Sequence, residues 1–171
     1  MKKLAVAAVF CAVAVAGSLF SFPVFGSKCS PVQHMVNILC AVLLGPGYGL
    51  GAAFAAALIR NLLGLGSLMA FPGSMIGALC CGLAYMAFRK PWLTCIAEAS
   101  GTGILGGLAA YPVAKLMMGL NPGGLFVYIV PFLVSTVVGS ILAYFLVTAL
   151  QKGGVISMYR HPAKKEMKMS Q

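Results

Sequence analysis

Val137-Val138-Gly139-Ser140-Ile141-Leu142-Ala143-Tyr144-Phe145-Leu146-Val147-Thr148-Ala149-Leu150 carries no charge and no alternation of apolar with polar positions. A strand with one wet face alternates with a period of two, and a strand of a membrane barrel does so over about ten residues. The run Leu4 to Val15 reads the same way. Hydrocarbon offers no partner to a free N–H or C=O, so only helices and closed barrels cross it. The missing alternation selects helices.

Composition identifies the apolar medium as lipid. Of 171 residues, 61% are hydrophobic and 8% charged, and the mean hydropathy is +0.99. Soluble domains are about 25% charged, and a core of this size cannot hide so much apolar sequence. The fold class is therefore all-α integral membrane. The formal net charge is +10, with Glu98 and Glu166 the two acids. A basic balance can indicate nucleic acid, but these charges stand at the ends of apolar runs and in the tail. They read as topology signals, and no nucleic-acid partner is expected. Cys11, Cys40, Cys80, Cys81 and Cys95 fall inside apolar runs, and no cysteine pair has C-x-x-C spacing. These five read as small buried hydrophobes. Cys29, in an expected external loop, is the candidate reactive thiol.

Lys2 and Lys3 followed by an apolar run and Ala14-Val15-Ala16 resemble a secretory signal peptide. Ala8, Ala12 and Ala16 recur at every fourth position, and such a small-residue stripe suits a retained helix that packs closely on another. A retained first helix is the expectation. The apolar runs are 4–25, 32–59, 68–88, 92–118 and 124–150. Gly45-Pro46-Gly47 interrupts the second with a turn signal. Splitting it gives six crossings and puts both termini, with Arg89 and Lys90, on one side. Nine of the twelve Lys and Arg then lie in the cytoplasm, leaving Lys28, Arg60 and Lys115 elsewhere, as the positive-inside rule requires. The expected helices are 4–24, 31–45, 48–65, 72–88, 93–117 and 124–150, both ends cytoplasmic. Residues 1–151 form the membrane domain and 152–171 a basic cytoplasmic tail.

Ionisable and amide side chains are expensive at membrane depth and mark function. Helix two starts Pro31-Val32-Gln33-His34-Met35-Val36-Asn37, and Gln33 and Asn37, four apart, share a face. Helix three leaves through Arg60-Asn61, with Arg60 about 18 Å along the axis from Tyr48, in the outer half of the bilayer. Helix four starts at Phe71-Pro72-Gly73-Ser74. Three segments thus bring polar groups to one depth, under loops 22–34 and 62–73 whose small residues suit closure over a ligand. Glu98, near the cytoplasmic end of helix five, reads as pairing with Arg89 or Lys90 or as carrying a proton, with Thr102 one turn further on the same face. Gly101, Gly103, Gly106 and Gly107 make that helix thin. The chain has no H-E-x-x-H, no G-x-S-x-G, no P-loop and no metal-ligand cluster. Neither catalysis, cofactor, metal nor an ATP site of its own is expected.

Lys28-Cys29-Ser30-Pro31-Val32-Gln33-His34, Asn37, Leu44-Gly45-Pro46, Ile59-Arg60-Asn61, Gly64-Leu65-Gly66-Ser67 and Ala70-Phe71-Pro72-Gly73-Ser74-Met75 with Gly77-Ala78 lie between Gly26 and Tyr85. Together they resemble the thiazole-type substrate-binding (S) component of energy-coupling-factor (ECF) transporters, the ThiW family. The resemblance implies a capture subunit in a bacterial or archaeal cytoplasmic membrane, working with a transmembrane coupling protein and two ATP-binding subunits. It implies hydroxyethylthiazole, a thiamine precursor, as ligand, and contact of the first helix's Ala8, Ala12 and Ala16 with the coupling protein. A neutral thiazole alcohol wants an apolar, aromatic pocket with a few hydrogen-bond partners. Phe22, Phe25 and Phe71 are candidates for the first, and Gln33, His34, Asn37, Arg60, Asn61 and Ser74 for the second. Two other readings are an S component for another small vitamin-like ligand and a non-catalytic assembly subunit. An intramembrane lipid enzyme would need a nucleophile–base pair or metal ligands at one depth, which the sequence does not offer.

Overall fold

The structure, a computed structural model, describes residues 2–24 and 27–156. Phe25, Arg160, His161, Lys164, Lys165, Glu166 and Lys168 lie outside the described residues. The described residues hold six long helices: α1 (Lys2–Gly17), α2 (Pro31–Leu43), α3 (Pro46–Leu62), α4 (Ala70–Phe88), α5 (Pro91–Met117) and α6 (Ile129–Lys152). The run 32–59 divides at Gly45 as its turn signal predicts. The N–H groups of Leu44 and Gly45 both reach the Cys40 carbonyl, at 2.8 and 3.0 Å. Gly45 has φ +94°, open to glycine and strained for other residues, and Pro46 then begins α3 at a position that needs no N–H.

Many large apolar side chains face outward, while a set of polar ones is buried with the apolar core. Phe20, Leu116 and Phe145 are at least two-thirds exposed, while Gln33, His34, Asn37, Arg60, Glu98 and Thr102 are buried. Four segments, Lys3–Phe20, Ala70–Phe88, Pro91–Met117 and Ile129–Lys152, are long and apolar enough to cross a membrane. The chain is a multi-pass membrane protein. The thirteen residues of α2 reach only about 20 Å, short of the roughly 30 Å hydrocarbon core. It is nevertheless the hub of the bundle, packed against all five other helices. Ten of its thirteen residues are buried, so its ends are covered by protein where lipid would leave backbone groups unpaired.

Two boundaries differ from expectation. The first helix stops at Gly17, not residue 24. A single 3-10 turn, Ser18–Phe20, follows, and then an antiparallel hairpin of β1 (Phe22–Val24) and β2 (Ser27–Cys29), pairing Phe22 with Cys29 and Val24 with Ser27. Gly17 and Ser18 are poor helix formers, and Gly17 lies so close to the Val32 side chain that a Cβ there would collide with it. Helix α6 starts at Ile129, not 124, because Gly123-Gly124 disfavour a helix and residues 125–128 form turns. Within α5, π-helical stretches at Gly101–Gly106 and Val113–Met117 widen the turn. The expected thinness is real at Gly106, where an added Cβ would stand 2.7 Å from the Gly73 Cα of α4.

Candidate functional site

The first two turns of α2 present Gln33, His34 and Asn37 to the bundle interior, and a continuous polar chain runs through them. Arg60 Nη1 donates to Gln33 Oε1 (3.4 Å), and Gln33 Nε2 donates to Asn37 Oδ1 (3.2 Å). Asn37 Nδ2 donates to Glu98 Oε1 (3.1 Å) and to the Ser74 backbone carbonyl (3.2 Å). Glu98 Oε1 also bonds His34 Nδ1 and Thr102 Oγ1, each at 3.0 Å. The Arg60 guanidinium is thereby tied to the Glu98 carboxyl group through two amides. The directions of these bonds fix one another. The guanidinium only donates and the Ser74 carbonyl only accepts, so neither amide can flip without setting acceptor against acceptor.

Glu98 therefore departs from the sequence expectation. Its partners are on α2 and not Arg89 or Lys90; the Arg89 guanidinium instead lies 5.8 Å from the Tyr85 ring centre. The shortness of α2 is the reason. Asn37 lies about 9 Å from the Leu43 end of α2, and Glu98 about 10 Å from the Pro91 start of α5. Leu43, Leu44 and Pro46 at the first of these ends line the same cavity as Arg89, two residues before the second. The start of α2 thus falls level with Glu98, deep in the bundle. Gly77 of α4 makes the space: a Cβ there would coincide with Thr102 Oγ1 and stand 2.8 Å from both carboxylate oxygens. Glu98 Oε2 and Arg60 Nε have no hydrogen-bond partner among the described residues.

Above this chain lies a cavity of about 30 Å3. Gln33, His34, Arg60 and Ser74 line it, with Lys28 of the hairpin and Ser67 of the 62–69 loop. That volume holds a water or two, so admitting anything larger requires the covering segments to part. Lys28 Nζ donates to the Gly64 carbonyl (3.3 Å) at an exposed position, bridging hairpin and loop. Asn37, Asn61 and Phe71 are not among the lining residues; Asn37 lies beneath the cavity, bonded to Gln33 and Glu98. Asn61 Nδ2 instead donates to the Ala57 and Ser67 carbonyls (2.8 and 3.1 Å), binding the loop to the end of α3. Phe71 stacks near Phe54, ring centres 5.8 Å apart. Phe22 is 40% exposed on the hairpin.

The aromatic wall comes from α6, which sequence reasoning did not assign to the site: Phe132 lines the cavity with Pro131 and Ser135. Ser135 Oγ accepts from the Ser30 N–H at 2.9 Å. A signal was present. Pro131, Ser135, Gly139, Ala143 and Val147, every fourth residue, form the buried stripe of α6. Cys29 is also corrected. It is covered, its Sγ donates to the Pro131 carbonyl (3.1 Å), and burial pushes its thiol up. A protonated, covered thiol is a poor nucleophile.

A sequence model of one family, described as thiamine-precursor transporter protein (ThiW), matches residues 4–153, from α1 through the end of α6. The chain belongs to the ThiW family. Membership makes it a member of a transporter family, and it extends the likeness from the 60-residue stretch around α2 and α3 to the whole described bundle. No curated protein and no solved structure matches the chain. Among the described residues no three His, Cys, Asp or Glu side chains gather in a way that could hold a metal.

Proposed function

We propose that this ThiW protein is the substrate-capture (S) subunit of an ATP-driven ECF importer, taking hydroxyethylthiazole from the outside. The observation that carries the reading is the polar chain from Arg60 to Glu98 beneath a small cavity closed by two loops. A thiazole alcohol has one ring nitrogen that accepts and one hydroxyl that donates. The cavity offers a guanidinium at one position, an imidazole at another and the Phe132 ring between polar groups. The hairpin and the 62–69 loop, joined through Lys28, are the gate. Gln33, His34, Asn37, Arg60 and Ser74 hold or support the ligand, and Asn61 acts through the loop it clamps. Leaving a buried polar partner unpaired costs about 1–3 kcal/mol, roughly five- to 150-fold in affinity. Asn37→Leu should weaken hydroxyethylthiazole binding by at least about fivefold in calorimetric titration, while Thr148→Val, on the exposed side of α6 with its hydroxyl on the Tyr144 carbonyl, should not. Wild-type affinity in Asn37→Leu would remove the site from this cavity.

The coupling protein and the two ATP-binding subunits supply the energy, since the chain has no P-loop. The α1 stripe supports a docking role. Ala7, Cys11 and Ala14 pack into the bundle, leaving Ala8, Ala12 and Ala16 exposed. Ala8 and Ala12 flank a groove of about 490 Å3 shared with Gly47 and Gly51 of α3, where another helix can approach closely. Ala12→Trp should fill that groove and abolish co-purification with the coupling protein while leaving ligand affinity intact. Normal complex yield would count against the seam.

The proposed topology has six crossings with both termini in the cytoplasm of a bacterial or archaeal cell. In a cysteine-free background, cysteines at Arg89 and Lys152 should escape a membrane-impermeant reagent applied to whole cells. Labelling of either from outside contradicts this orientation.

A further inference from the structure

We propose that Glu98 is a positioning residue that holds His34 as the Nδ1–H tautomer, leaving Nε2 as the hydrogen-bond acceptor for a hydroxyl group of the ligand. The assignment follows from the directions of the surrounding bonds. Asn37 is oriented by the Ser74 carbonyl, so its Nδ2 donates to Glu98 Oε1. Thr102 Oγ1 approaches the same oxygen at 3.0 Å. An oxygen already accepting from an amide and facing a hydroxyl is an acceptor, so His34 Nδ1, 3.0 Å away, is the donor. In the neutral ring, with Nδ1 protonated and bound, the second ring nitrogen carries the lone pair.

His34 lines the cavity, and among the described residues Nε2 has no hydrogen-bond partner, since the bond to Glu98 is the one its side chain makes. Three packing features keep the ring in place. Gly139 of α6 admits the His34 Cβ, which would stand 2.8 Å from a Cβ added at that glycine. Gly77 of α4 admits the carboxylate. Thr102 sits one helical turn from Glu98 on α5. The cavity thus has a donor at Arg60 and an acceptor at His34, and it discriminates between an alcohol, which donates, and an ether, which cannot.

The inference rests on the thiazole-alcohol reading for the identity of the ligand, but the tautomer can be read without any ligand. The chain has two histidines, His34 and His161. Protein labelled with 15N-histidine and carrying His161→Gln should therefore give one imidazole spectrum, with Nδ1 protonated and Nε2 bare. The E98Q variant keeps an acceptor at the Oε1 position and should retain that spectrum. E98L removes the acceptor and should shift His34 to the Nε2–H form. An Nε2–H or doubly protonated ring in the wild type or in E98Q overturns the proposal, whether or not E98L folds. Hydroxyethylthiazole should bind the wild type at least about fivefold more tightly than its O-methyl ether. In H34N, whose amide keeps a donor towards Glu98 but offers nothing at the Nε2 position, the ratio should fall to about one. Equal binding of alcohol and ether by the wild type also overturns it. If neither compound binds while the Nδ1–H spectrum stands, the thiazole reading fails and the tautomer assignment survives.

Discussion

Glu98→Leu should lose hydroxyethylthiazole binding and lower the unfolding midpoint of the purified protein in detergent. Oε1 is the meeting point of His34, Asn37 and Thr102, and leucine fills the volume without accepting from any of them. Thr102 can turn to the Gly73 carbonyl, already 3.3 Å away, but the His34 N–H and one Asn37 N–H are left unpaired in a site closed to water. At about 1–3 kcal/mol for each unsatisfied group, the cost is about 2–6 kcal/mol. Borne by the binding-competent arrangement, that is a loss of roughly 30-fold or more in affinity. Replacing both partners of a buried hydrogen bond by apolar groups can be nearly neutral in stability, whereas removing one partner is not. His34→Leu with Glu98→Leu should therefore recover part of the lost midpoint and none of the binding. A Glu98→Leu protein with wild-type midpoint and affinity would mean that the network holds neither fold nor ligand.

Gly77→Ala is the second large effect, from a single methyl group. The new Cβ would occupy the place of Thr102 Oγ1 and press both Glu98 oxygens at 2.8 Å. No flexible chain end is there to yield: Glu98 is held by its partners and Thr102 is fully buried. Overpacking of this kind costs about 1–3 kcal/mol, and the carboxylate must leave the geometry that orients His34 and Asn37. Binding should fall at least about tenfold, by calorimetry. Thr102→Ala in the same chain removes the closest collision and should restore part of the loss, a coupling expected only of residues in contact. Additive losses in the double variant would show that α4 and α5 do not meet at this point.

The fold was largely legible in the sequence because lipid imposes a simple rule. Apolar runs without alternation become helices, and Gly45-Pro46 splits the run 32–59 into two. The polar face of α2 was legible for the same reason: Gln33 and Asn37, four apart, bond each other. Glu98 was misjudged because its depth was measured along its own helix. Only the shortness of α2, and its place at the centre of the bundle, brings His34 down to the carboxylate. Asn61 and Arg60 adjoin in sequence yet part company in space, since consecutive helical residues face about 100° apart: Arg60 turns inward and Asn61 towards the loop. Pro131, Phe132 and Ser135 lay inside the most apolar stretch of the chain, where the four-residue stripe of small and polar residues was the signal to read. The hairpin over the cavity depends on contacts with α6, such as Cys29 with the Pro131 carbonyl, that no local pattern announces.

The central claim is that this cavity captures hydroxyethylthiazole through the network anchored on Glu98. Native mass spectrometry of the purified wild-type chain and of the Glu98→Leu variant, each with hydroxyethylthiazole, tests it most directly. The account predicts a complex with one ligand bound to the wild type and none to the variant. No complex with the wild type, or the same complex with both, would contradict it.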